Sequence, residues 1–152
     1  MERDVLVTIS GLQRMGAPED EEPIKVIAPG QYYFKNGKHY VLYDEVQEIY
    51  EGETNVTRNT LQFKDRYLSV TKHGAENVHM VIESEKKNVT YYHTPIGMLH
   101  ISLDGKRVNV SDTEESISVD ARYGLDINYE HVANCHLKID VRPKDEGIDL
   151  AN

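Results

Sequence analysis

Residues 99–111 read Leu99-His100-Ile101-Ser102-Leu103-Asp104-Gly105-Lys106-Arg107-Val108-Asn109-Val110-Ser111. Leu99, Ile101 and Leu103 fall on one face with His100 and Ser102 on the other, and Val108 and Val110 resume the alternation with Asn109 and Ser111 outward. An apolar residue at every second position is the signature of a half-buried β-strand, whose side chains point alternately to opposite faces. Between the two runs, Asp-Gly supplies the positive φ of a tight hairpin. The stretch therefore predicts two antiparallel strands joined by a turn at Asp104-Gly105. Asn36-Gly37 carries the same signal between Tyr32-Tyr33-Phe34 and Tyr40-Val41-Leu42-Tyr43.

The pattern extends outward in both directions. Val5, Val7 and Ile9 alternate in a first strand; Ile24 and Val26 open a second, in which Pro29-Gly30 predicts an edge or bulge because proline donates no ladder hydrogen bond. Leu68 and Val70, then Val78, Met80 and Ile82, form a further pair around Gly74. Ile117, Val119, Ala121, Tyr123, Leu125 and Ile127 share one face of a long strand, and Ala133, Cys135, Leu137, Ile139 and Val141 share one face of another. Asp44 to Glu51 fits a helix as well as a strand tail, through Val46, Ile49 and Tyr50. An acidic loop at about 15–23 and a flexible C-terminal tail at about 143–152 complete a chain read as one domain, 1–152. With roughly nine to eleven short strands and hairpin-length connections, the expected fold is all-β. A meander of this kind removes its exposed edges by closing, so the expected architecture is a closed antiparallel up-and-down barrel, lipocalin-like (calycin), of about eight to ten strands. A barrel of that size is either filled by side chains or holds one small ligand.

Composition narrows the function. The 152 residues carry 17 Lys and Arg against 26 Asp and Glu, a net charge of −9, with a single Cys. That charge argues against coating nucleic acid or an anionic membrane, both of which need clustered positive charge. One cysteine makes no internal disulfide, and Met1-Glu2-Arg3-Asp4 followed by Val5 reads as neither an export nor a lipidation signal, so a cytoplasmic protein is expected. The Asn-x-Ser/Thr triplets at Asn55, Asn88 and Asn109 are then chance occurrences. Charge is unevenly spread: residues 1–53 sum to −6, 54–109 to +3 and 110–152 to −6. The locally basic middle, with Arg58, Lys64, Arg66 and Lys72 among Phe63 and Tyr67, has the composition of a single-stranded nucleic-acid groove, but strand alternation scatters those side chains over both faces.

Gly30-Gln31-Tyr32-Tyr33, Tyr43-Asp44-Glu45, Tyr92-His93-Thr94-Pro95-Ile96-Gly97 and the closing run from Val132-Ala133-Asn134 to Leu137-Lys138-Ile139 together resemble the YwiB-like family of small bacterial β-barrel proteins of unknown function. The resemblance runs from about Val5 to Val141 and implies a calycin barrel with no assigned catalytic residues. Where the family carries Arg shortly before a Gly, this chain has Lys72-His73-Gly74; an anion held in a forked, two-bond geometry would be held less well by Lys.

No chemical motif points to catalysis. The seven His, at 39, 73, 79, 93, 100, 131 and 136, lack metal-ligand spacing, and alternation turns His79 and His100 toward solvent. Cys135 shares an apolar face with Ala133 and Leu137, where a thiol is inert. Nucleophile elbow and phosphate-cradling glycine motifs are both missing, and Glu19 to Glu22 reads as a solvated loop. Neither a cofactor nor a metal is expected. What remains is the barrel interior. Tyr43, Glu45, Arg58, Lys72, Met80, Tyr92, Thr94 and Tyr123 are the candidate ligand-binding residues, with Glu45 and Lys72, if inward, paired to each other or to Arg58 because an unpaired buried charge is costly. The expected partner is a small molecule, partly apolar or anionic, in or at the rim of the barrel. The alternative is a non-catalytic interaction or structural module with a filled interior.

Overall fold

The computed structural model describes residues 3–12, 24–74 and 77–144. Ten strands follow one another: β1 Arg3–Leu12, β2 Ile24–Lys35, β3 Lys38–Tyr50, β4 Glu53–Lys64, β5 Tyr67–His73, β6 Val78–Glu83, β7 Lys87–Thr94, β8 Gly97–Asp112, β9 Ile117–Ile127 and β10 Glu130–Pro143. Every ladder is antiparallel, and neighbouring strands pair in chain order, with β1 also pairing β10. The sheet order β6-β5-β4-β3-β2-β1-β10-β9-β8-β7 is thus a meander curled into a nearly closed barrel, an all-β, lipocalin-like fold. Its seam lies between β6 and β7, which are consecutive but not laddered to each other. The segment Asp44 to Glu51 is strand through Tyr50 rather than helix. The acidic loop at 15–23 and the tail beyond Lys144 lie outside the described residues, while Pro143 itself still belongs to β10.

Asn36-Gly37 forms the expected hairpin, with φ of 53° and 76°, the doubly left-handed pair a two-residue turn requires. Asp104-Gly105 does not. β8 runs straight through it as a single 16-residue strand, with an irregularity of register between Gly105 and Arg107. Leu103 and Val108, five residues apart, both point inward, and an odd spacing demands either a turn or a bulge; here it is a bulge. The glycine is needed for close approach. Gly105 donates to the Lys86 carbonyl at 2.8 Å and accepts from the Glu85 amide at 3.0 Å, so β8 packs backbone to backbone against the β6–β7 turn, and a Cβ at Gly105 would lie 1.8 Å from the Glu83 carbonyl oxygen. The Ser84 hydroxyl, buried beneath, accepts from the Val108 amide at 2.8 Å, and Val108 O accepts from the Arg66 amide at 3.2 Å. These bonds close the barrel at the end that carries Asn36-Gly37 and Arg66, here the lower end. The upper end carries Gly52 and the Asn128-Tyr129 turn. Pro29 stands one residue beyond the last β2–β3 pair, Gly30 with Tyr43, so its missing donor falls where β2 has no ladder on that side, the edge position expected of it.

The lower interior is packed around Phe63, while at the rim Val110 and Ile117 are half-buried and a hollow of about 160 Å³ opens between Val5, Tyr32, Ile117 and Val141. Phe63, Leu61, Leu68, Ile82 and Leu103 are fully buried in this packing together with Val41 and Val108. Each large side chain removed from water contributes about 1.5–3 kcal/mol. His100 and His39 depart from the solvent-facing placement expected from sequence: His100 is half-buried with its Nδ1 enclosed, and His39 is buried, stacks on Phe63 with ring centroids 5.0 Å apart, and its Nδ1 hydrogen-bonds the Tyr32 hydroxyl at 2.8 Å. Burial holds its pKa below the ordinary 6.5, partly opposed by the Asp112 carboxylate. Because the unfolded chain then takes up the proton more readily, the stability His39 contributes is complete above about pH 6.5 and is lost as pH falls below it. Urea midpoints at pH 7.5 and 5.5, about one unit either side of that value, should therefore differ more in the natural protein than in His39→Gln.

Candidate functional site

The polar group of the interior is built by register. Tyr43 on β3 faces Asn59 on β4, Asn59 faces Lys72 on β5, and Lys72 faces Val78 on β6, so four inward positions form one row across the sheet. Glu45, two residues along β3 from Tyr43, shares that face. Lys72 Nζ meets Glu45 Oε1 at 3.2 Å. Since β4 lies between the strands bearing the two residues, the Lys72 stem crosses the inner face of β4 to reach its partner. The two side chains are 28% and 23% exposed, and Asn59 beside them is 1% exposed. The Asn59 Nδ2 donates to the Thr57 carbonyl at 3.2 Å, while its Oδ1 is buried with no hydrogen-bond partner among the described residues.

The neighbouring hydroxyls are donors. Burial pushes the Tyr43 pKa far above its ordinary 10.0, and the Glu45 carboxylate pushes it further. Tyr123, facing Cys135 across the β9–β10 ladder, is raised likewise by burial and then by its hydrogen-bonded thiol neighbour. The Cys135 thiol is half-buried, and burial raises its pKa although the bond to Tyr123 opposes the shift, which leaves it a poor nucleophile. Both phenols stay protonated at neutral pH.

Of the sequence candidates, Tyr43, Glu45 and Lys72 come together in this group. Met80 and Tyr92 are half-buried on the same inner face, Met80 packing against the core. Thr94 is at the rim, where its hydroxyl donates to the Gly97 carbonyl at 2.6 Å and secures the β7–β8 turn. Tyr123 lies on β9, paired with Cys135. Arg58 does not join them: its neighbour Asn59 points inward, so Arg58 points out, 81% exposed and 3.8 Å from Asp44. There it lines an open groove of about 840 Å³ with Pro29, Leu42 and His73, a groove that Tyr43 and Asn59 also border. Sequence reasoning missed Asn59. The signal was available in the alternation Asn59-Leu61-Phe63, which sets a polar residue on an otherwise apolar face.

On β6, β8 and β9 the upper wall is apolar but incompletely covered. Val78, Met80, Leu99, Ile101, Leu125 and Ile127 follow the inward alternation of their strands yet remain half-buried, whereas Leu61, Leu68, Ile82 and Leu103 below them are fully buried. Between β6 and β7 a cavity of about 90 Å³ is lined by His79 and Val81 from the outer face and by Asn88, Thr90 and Leu103 from the inner one. Among the described residues no three His, Cys, Asp or Glu side chains converge on a point, and no helix is long and apolar enough to cross a membrane.

A ten-stranded meander in a nearly closed barrel, with an ion pair and a buried amide on its inner face, is a lipocalin-like barrel. More narrowly, the chain belongs to the family described as Domain of unknown function (DUF1934), which matches residues 7–139. The crystal structure of the ywiB protein from Bacillus subtilis superposes on it with a TM-score of 0.73 and 17% sequence identity, over 93% of this chain and 92% of that one. At that identity the likeness speaks for the fold, and it agrees with the YwiB-like resemblance read from the Tyr92 to Gly97 segment and its companions. Comparison with curated proteins finds no match.

Proposed function

We propose that the protein binds a small, partly apolar molecule in the upper half of its barrel. The observation that supports this reading is that the inward apolar side chains Met80, Leu99, Ile101, Leu125 and Ile127 of the upper wall remain half-buried, next to a short list of polar groups. Ligand sites are commonly concave, mostly apolar and furnished with a few fixed polar groups. Of the two chemistries the sequence left open, the uncharged one is favoured, because Glu45 already neutralises Lys72 and Arg58 points away from the interior.

A thermal-shift screen of the full chain against neutral and anionic metabolites tests the reading. At about 100 times its dissociation constant a ligand adds about 2.7 kcal/mol of stability, a rise of several degrees in Tm. At least one neutral compound is expected to do this, and Glu45→Ala or Lys72→Ala to diminish the shift. A screen in which no compound raises Tm, or in which the shift is indifferent to both substitutions, speaks against an upper-half site.

A further inference from the structure

Resting on that reading, the chemistry around Asn59 specifies what the ligand carries. The Asn59 amide cannot simply turn over, since its Nδ2 is engaged with the Thr57 carbonyl at 3.2 Å and a reversed amide would set two carbonyl oxygens against each other. Oδ1 is thereby fixed as an acceptor with no donor, on a residue 1% exposed. Buried polar atoms of this kind are uncommon, and an apolar residue would be tolerated better at the position, so the acceptor calls for a functional explanation. Its register neighbours supply the opposite character. Lys72 directly across on β5 uses one of its three ammonium protons on Glu45, and the Tyr43 hydroxyl across on β3 remains protonated. The group thus offers one acceptor between two donors, and the Lys72–Glu45 pair within it carries no net charge.

We propose that the upper half of the barrel recognises a neutral amide edge on a small apolar molecule, the ligand N–H donating to Asn59 Oδ1 and its carbonyl oxygen accepting from Lys72 or Tyr43. An ester offers the carbonyl without the proton and leaves Asn59 unpaired. A carboxylate lacks the proton as well and sets a second negative charge near Glu45. Leaving a buried polar group unpaired is the strongest way a site rejects a near-isostere.

Three probes of similar size separate these cases: hexanamide, whose primary amide presents N–H and C=O on one edge, butyl acetate and hexanoate, each titrated against the full chain and followed by NMR. Hexanamide should bind at least tenfold more tightly than either of the others. Asn59→Leu should bring the amide down to the ester's affinity, leave the ester within about twofold of its value on the natural protein, and melt no lower than that protein. The comparison of the three probes on the unmodified chain stands by itself should Asn59→Leu not fold. Ester or hexanoate binding in the upper half as tightly as the amide would overturn the amide inference while leaving a ligand site there. Absence of saturable binding by all three would overturn both.

Discussion

Gly105→Ala should destabilise the protein by about 4 kcal/mol, at the upper end of single-substitution effects, and could prevent folding outright. The reason is local and geometric. A Cβ at this position lies 1.8 Å from the Glu83 carbonyl oxygen and 2.7 Å from its carbon, both backbone atoms that no rotamer change can move. Relief requires β8 to withdraw from the β6–β7 turn, which breaks the Gly105 bonds to Lys86 and Glu85 and disturbs the neighbouring Val108–Ser84 bond that helps seal the lower end. Gly37→Ala is the control. Its φ of 76° is left-handed, but nothing lies within 4 Å of the added Cβ, so only the conformational cost of about 1 kcal/mol remains. Chemical denaturation of the two variants beside the natural protein checks the contrast; equal losses would mean that β8 does not pack backbone to backbone at the seam.

Phe63→Ala should cost about 3–5 kcal/mol, whereas Met80→Ala should cost about 1 kcal/mol. Phe63 is completely buried against His39 in the packed lower interior, so truncation removes its transfer energy and leaves a cavity whose wall, made of strands from around the barrel, cannot collapse into it. Met80 is half-buried on the upper part of β6, where the surroundings are already solvent-reached and the lost area is smaller. Denaturant midpoints at constant m-value measure both. Similar costs for the two would show that the upper interior is packed as tightly as the lower, which is incompatible with a site there.

Periodicity carried most of the fold. Ile117 through Ile127 and Ala133 through Val141 place their apolar residues inward because a pleat alternates strictly, and no tertiary contact overrides it. Asn36-Gly37 was legible because its turn depends on its own two dihedrals. Asp104-Gly105 was misread because its conformation depends on a strand distant in sequence: the same dipeptide that makes a hairpin also relieves a bulge where Glu83 passes. Conversely, the β9–β10 hairpin turns at Asn128-Tyr129, with φ of 50° and 71°, although an aromatic residue rarely accepts the left-handed region; Tyr129 stacks on His100 at 4.4 Å, a contact that offsets part of that strain. In the site, the inward Glu45 and Lys72 follow from alternation, but their pairing spans an intervening strand and becomes visible only once β4 is placed between them. Arg58 follows from local composition, whereas alternation turns it outward and sets its neighbour Asn59 on the inner face.

The upper interior beside Asn59 is proposed to accept a ligand, while the side chains packed around Phe63 below it stay closed. A methyl-resolved NMR titration of the full chain with hexanamide and butyl acetate tests it most directly. The account predicts saturable shifts at Met80, Ile101, Leu125 and Ile127, with Leu61, Leu68, Ile82 and Ile139 unmoved. Shifts centred on the lower residues or on the open groove beside Arg58, or none that saturate, would contradict it.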